Sequence, residues 1–182
     1  MNFEMQPVIA AVRDRAGVLR ACESACEVLF LLSANVLELP ELIALAHGRA
    51  KKLFLHIDLC EGVGKDAYGV RYVSSLGVDG IISTRTGLIK AAKECGIQCV
   101  QRFFMVDSRS VDTALEAIRT ARPDMVEIMP AIATKTVTRL SQTVKVPIIA
   151  GGLLEEKREI FAALSAGASA ISTGSPTLWD FA

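Results

Sequence analysis

Apolar and polar positions along the 182-residue chain fall in blocks rather than in simple alternation. Eight short apolar runs, rich in β-branched residues, recur at roughly even spacing. They are PVIAAV from Pro7, VLFLLSA from Val28, LFLHIDL from Leu53, GIIST from Gly80, QCVQRFF from Gln98, MVEIMP from Met125, VPIIAGG from Val146 and AISTGS from Ala170. Runs of about five to seven residues without polar alternation suit strands covered on both faces. Between them the apolar residues take helical spacing. LPELIALAHGRAKK sets Leu39, Leu42, Ile43 and Ala46 on one face, and SVDTALEAIRTARP offers Ser108 or Ser110 as an N-cap and stops before Pro123. LLEEKREIFAALSAGA stacks Ile160, Phe161 and Leu164 behind Glu155 and Glu156, ending at Gly167.

Eight strands separated by helices predict a compact (β/α)8 barrel of parallel strands forming a single domain over residues 1–182. A parallel neighbour needs a covering crossover, and eight such units close on themselves. Each unit has only about 23 residues, so the loops must be short. An open doubly wound sheet is the alternative, but its G-x-G-x-x-G turn is missing after the first run.

Charge narrows the function. Lys plus Arg and Asp plus Glu both number 20, a net charge of +0, so any polyanion must meet a local patch rather than a basic molecule. Five cysteines, Cys22, Cys26, Cys60, Cys95 and Cys99, form no C-x-x-C pair. That pattern is neither a disulfide framework nor a zinc ribbon and implies a reducing, cytoplasmic setting. No apolar stretch approaches the roughly 20 residues that span a bilayer, so no membrane partner is expected.

In such a barrel the working face lies at the C-terminal ends of the strands. The residues there form a polar set: Arg13, His56, Asp58, Ser83, Thr84, Arg85, Gln101, Arg102 and Glu127. The last two runs end in Gly151-Gly152 and in Ser172, Thr173, Gly174 and Ser175. Loops after strands 7 and 8, with a short extra helix, commonly hold phosphate through backbone amides. Pro176 stands where that helix would begin. These six residues are therefore the candidate phosphate cradle, against the alternative that they only make tight turns.

Alternation along LFLHIDL places Phe54, His56 and Asp58 on one face, a pair able to ligate a metal or to bond a hydroxylated ligand. The chain has only two histidines, so the hydroxyl reading is preferred and no metal is assigned. Arg13, Arg85 and Arg102 each follow an apolar run and either bind anions or pair with Asp58 and Glu127. No lysine ends a strand, as a Schiff base would require, and no G-x-S-x-G elbow occurs, so no catalytic residue is assigned. EGVGKDAYG is not a Walker A loop, because Leu59 stands where its first glycine would be.

With PVIAAVRD, HIDLCEGVGKDAYG, GIISTR, QRFFMVDS, PDMVEIMP, PIIAGGL and the closing Leu178-Trp179 in order, the chain closely resembles the bacterial glycerol uptake operon antiterminator regulatory proteins. The resemblance implies a barrel without established catalysis, with glycerol 3-phosphate as effector, no cofactor, and leader messenger RNA of glycerol-uptake genes as partner. It carries over to Arg13, His56, Asp58, Arg85, Gln101, Arg102, Asp107, Glu127, Gly151 and Gly152. Two positions depart from its pattern: Ala131 follows Pro130 where the family usually has glycine, and the final loop reads STGSPTLW. A homodimer is compatible with this picture. The alternative function is a phosphosugar or triose-phosphate isomerase or epimerase using His56, Asp58 and Glu127 as acid–base groups.

Overall fold

Runs that are apolar on both faces become strands lying between an inner core and an outer layer of helices. The structure, a computed structural model, describes residues 6–180. Its strands are β1 (Val8–Val12), β2 (Val28–Leu31), β3 (Lys52–His56), β4 (Gly80–Ser83), β5 (Gln98–Phe104), β6 (Met125–Met129), β7 (Ile148–Gly151) and β8 (Ala170–Thr173). All pair in parallel with their sequence neighbours, and β1 pairs with β8 to close the barrel. Each of the eight runs read from the sequence contributes one strand.

Seven α-helices cover the outside: α1 (Arg15–Glu23), α2 (Leu39–His47), α3 (Ala67–Ser75), α4 (Thr86–Glu94), α5 (Ser108–Ala121), α6 (Thr134–Ser141) and α7 (Lys157–Ser165). Two two-residue strands, Ala34–Asn35 and Cys60–Glu61, pair in parallel beyond the ends of β2 and β3. After β8 the described residues form a 3-10 turn, Pro176–Leu178, so the final helix expected at Pro176 is a single turn. Trp179 anchors it, with its ring buried and Nε1 donating to the Thr173 carbonyl at 2.9 Å.

The core has two shells. Ile9, Val28, Phe30, Phe54, Ile82, Val100, Met125, Ile149 and Ala170 fill the barrel, and the opposite strand faces pack on the helices. Because successive side chains alternate, this fixes which residues look inward at the C-terminal end. They are His56, Arg102, Glu127, Gly151 and Ser172, whereas Ser83, Gln101 and Thr173 look outward.

Three aspartates start three helices. Asp14, Asp66 and Asp107 accept from the backbone N–H of Gly17, Gly69 and Ser110 at 2.7, 2.9 and 2.8 Å. Asp107, rather than Ser108 or Ser110, is thus the cap of α5. Ser108 is already helical, and Ser110 is the third helical residue, completing a capping box. In α7 the buried face is Ile160 and Ala163, while Phe161 is exposed, because the stripe runs three residues apart rather than through an adjacent pair.

Candidate functional site

The run QCVQRFF forms β5 in full, so Arg102 does not follow the strand but lies within it, an inward-facing residue paired in register with Glu127 of β6. Both are buried, and Nε of Arg102 donates to Oε2 of Glu127 at 2.5 Å. Ser172 of β8 donates to the other carboxylate oxygen at 2.5 Å. One carboxylate therefore ties three strands together at the top of the barrel interior.

Gly151 makes this possible. A Cβ on it would lie 2.3 Å from Ser172 Oγ and 2.7 Å from Glu127 Oε1, so any side chain there would displace the bond between them. Arg102 also donates through Nη1 to His56 Nδ1 at 3.5 Å. With Nδ1 accepting, the ring proton sits on Nε2. That nitrogen is buried and, among the described residues, has no partner within hydrogen-bond distance, its nearest carboxylate oxygen being Asp58 Oδ2 at 3.7 Å.

Asp58 joins from the β3 side. The strand stops at His56 and Ile57–Leu59 forms a 3-10 turn, so strict alternation does not carry on to Asp58 as the sequence had suggested. The turn nevertheless brings Asp58 Oδ2 within 3.7 Å of His56 Nε2. Ser83 Oγ donates to Oδ1 at 2.8 Å, Thr84 N–H and Oγ1 donate to Oδ2 at 2.8 and 3.0 Å, and Arg85 Nε stands 3.8 Å from Oδ1. Burial alone would push the Asp58 carboxyl up. The His56, Thr84 and Ser83 interactions outweigh it and hold the group well below the usual carboxylate range.

The loops after β7 and β8 face each other across a cleft of about 560 Å³ lined by Gly152, Leu153, Leu154, Glu155, Thr173, Gly174 and Ser175. Gly152 and Leu153 both take positive φ, 78° and 58°. Only glycine adopts this backbone without strain, and a Cβ at Gly152 would also lie 2.7 Å from Met129 Cε. Among the described residues, the backbone N–H groups of Gly152, Leu153, Leu154 and Gly174 have no protein acceptor. Amides without a protein acceptor beside an open cleft can donate to water or to a bound anion.

The hydroxyls nearby are already used. Ser172 serves Glu127, and Thr173 points outward, donating to the Leu154 carbonyl at 3.2 Å and accepting from Ser175 N–H at 3.1 Å. The hydroxyls of half-buried Ser175 and exposed Thr177 lie 3.0 Å apart, bonded to each other. What the cleft presents is therefore mainly backbone.

Of the residues singled out from sequence, the structure gathers His56, Asp58, Arg85, Arg102, Glu127, Gly151 and Ser172 into one connected set, and Gly152, Gly174 and Ser175 into the adjoining cleft. Arg13 lies on the rim at β1, exposed, with no ion pair among the described residues. Gln101 does not reach the mouth. It faces outward under α4, where Nε2 donates to Thr86 Oγ1 at 3.1 Å. Leu153 and Leu154, whose contribution is backbone alone, were not singled out, and their side-chain types carried no signal for it. Among the described residues no three His, Cys, Asp or Glu side chains are grouped to hold a metal.

Residues 8–179 match the model of the glycerol-3-phosphate responsive antiterminator family. The glycerol uptake operon antiterminator regulatory protein of Listeria monocytogenes str. 4b F2365 superposes with a TM-score of 0.95 at 31% identity, covering 100% of this chain and 99% of that one. An antiterminator-related protein of Thermotoga maritima MSB8 gives a TM-score of 0.86 at 33% identity, covering 96% and 98%. The uncharacterised protein YgcP of Escherichia coli (strain K12) is 32% identical over 181 residues, 99% of this chain and 95% of its own length.

Proposed function

The chain belongs to the family of glycerol-3-phosphate responsive antiterminators, and from that premise we propose that it binds glycerol 3-phosphate in the barrel mouth and, once loaded, acts on the leader messenger RNA of glycerol-uptake genes to prevent premature termination. The observation that carries the ligand half is the junction at Gly151-Gly152. Four unpaired backbone amides lie on one side of it, and the buried polar floor of His56, Arg102, Glu127 and Ser172 on the other. A phosphate accepts from the amides of Gly152, Leu153, Leu154 and Gly174, and the two hydroxyls reach inward. His56 Nε2–H meets a hydroxyl oxygen, and the Glu127–Ser172 pair meets the other. Arg13 and Arg85 add positive charge at the rim.

The same geometry favours binding over acid–base chemistry. Each oxygen of Glu127 and of Asp58 already accepts from a protein donor, which fixes both carboxylates in place and leaves part of their acceptor capacity for hydrogen bonds to ligand hydroxyls. Solvent deuterium exchange into triose phosphates is the check on the isomerase alternative, with no exchange expected. A regulator of nascent RNA works in the cytoplasm, and no helix among the described residues is long and apolar enough to cross a membrane.

Titration calorimetry with glycerol 3-phosphate and with glycerol tests the pocket. Saturable binding of the phosphate ester and far weaker binding of glycerol are expected. Equal binding, or none of either, removes the amide cradle from consideration. A mobility shift of the leader transcript with and without glycerol 3-phosphate tests the regulatory half.

A further inference from the structure

The net-neutral chain meets a polyanion only where charge is locally unbalanced. The segment carrying α3 and α4 with their lead-in loops, residues 62–94, holds five cations, Lys65, Arg71, Arg85, Lys90 and Lys93, against three acids, Asp66, Asp79 and Glu94; Arg85 and Lys93 face Asp58 and Asp124, which leaves Lys65, Arg71 and Lys90 without a carboxylate partner among the described residues. Two of those acids are occupied: Asp66 caps α3, and Asp79 accepts from Leu53 N–H and contacts His47. Glu94 closes the far end of α4. α3 itself has no acidic residue.

The same helix bears both tyrosines of the chain, one turn apart on its outer surface. Tyr68 is 79% exposed and Tyr72 52%, with exposed Arg71 between them. Neither phenol oxygen has a protein partner, and neither Arg71 nor Lys90 forms an ion pair, among the described residues. Both rings stand outside the core, which α3 reaches through Val70 and Val73, and at i, i+4 spacing they share one exposed face. Stacking rings beside unpaired cations are the chemistry that single-stranded RNA uses: bases lie on aromatic faces and phosphates meet Arg and Lys.

We infer that the outer face of α3, with Tyr68, Arg71 and Tyr72 and the neighbouring Lys90 of α4, is the surface that holds unpaired bases of the leader RNA. This inference rests on the antiterminator reading above and names the surface through which it acts. It also gives the ligand a lever. Arg85, which begins α4, reaches Asp58, and Lys65 in the loop leading to α3 donates to the Cys60 carbonyl. The loops that orient both helices therefore start from the mouth, where the effector sits, and α3 and α4 pack directly on each other.

The test uses the full chain and the leader transcript of the glycerol-uptake operon from the genome that encodes it. Tyr68→Ala/Tyr72→Ala should weaken RNA binding in the presence of glycerol 3-phosphate by about 5- to 100-fold for each base that stacks. Tyr68→Phe/Tyr72→Phe, which keeps the rings, should restore it. Arg71→Glu should weaken it as well, and Arg71→Ala should reduce the slope of log affinity against log salt by about 0.7. Binding of glycerol 3-phosphate and thermal stability should match the unmodified protein in every variant.

Unchanged RNA affinity in both the double alanine variant and Arg71→Glu overturns the assignment of this face and leaves the antiterminator reading standing. An unmodified protein that ignores the leader RNA with and without effector overturns both. A dimer in sedimentation that the double alanine variant turns into a monomer assigns the face to a second copy of the chain instead.

Discussion

Glu127 is fully buried and accepts from Arg102 and Ser172 on separate oxygens, so its removal leaves a guanidinium in the barrel without a counter-charge. Glu127→Ala should cost about 3–5 kcal/mol, and adding Arg102→Ala should cost less than the sum of the two single changes. Urea unfolding of the two single variants and the double variant measures this. Gly151→Ala acts on the same bonds from β7. Its methyl would need the space now held by Ser172 Oγ and Glu127 Oε1, so about 1–3 kcal/mol of overpacking strain and a loss of glycerol 3-phosphate affinity are expected together. Asp58 supplies the pH dependence. Its folded-state carboxyl ionises well below the unfolded value of about 3.9, so its contribution is present above that value and is lost as the pH falls toward the folded one. Asp58→Asn should lower the melting temperature at neutral pH and flatten the acid limb below about pH 4 in melts across the pH range.

At the scale of elements, α3 depends on two contacts with the loop before it. Asp66→Ala removes its cap and should cost about 1 kcal/mol. Gly69 is held closer still, since a Cβ there would lie 1.9 Å from the Gly64 carbonyl oxygen. Gly69→Ala should therefore shift the loop itself and weaken leader RNA and effector binding together. A normal melting temperature with unchanged affinities would show that the loop is uncoupled from both. Strand and helix identities were legible in the sequence because doubly buried strands produce unbroken apolar runs, and all eight runs became strands. β5 shows where that legibility stops. Gln101 and Arg102 are adjacent polar residues inside the run QCVQRFF, and the run alone does not say which of them turns inward and which outward. Only the register with β6, which sets Arg102 beside Glu127, decides it. The cleft was legible as glycines at the seventh and eighth strand ends. The amides of Leu153 and Leu154 were not, since apolar side chains give no sign of backbone donors.

For the whole molecule the two halves of the proposed function are coupled by a free energy, whichever contacts carry it. A ligand that binds only the folded chain stabilises it by an amount set by its concentration relative to its dissociation constant, about 2.7 kcal/mol at a hundredfold excess. Glycerol 3-phosphate should thus raise the melting temperature in a concentration-dependent way, with glycerol at the same concentrations having little effect. If the effector also promotes an RNA-competent state, it must bind that state more tightly, and the factor by which it tightens RNA binding must equal the factor by which RNA tightens effector binding. Calorimetric titration of glycerol 3-phosphate into the free protein and into its leader RNA complex measures one factor, and RNA binding at zero and saturating effector measures the other. Equal factors above one are expected from the path that runs from Asp58 through Arg85 to α4 and α3. A factor of one in both directions, with each partner still binding, would separate the mouth from the RNA surface. The barrel would then be a rigid platform whose response to effector arises outside the chain.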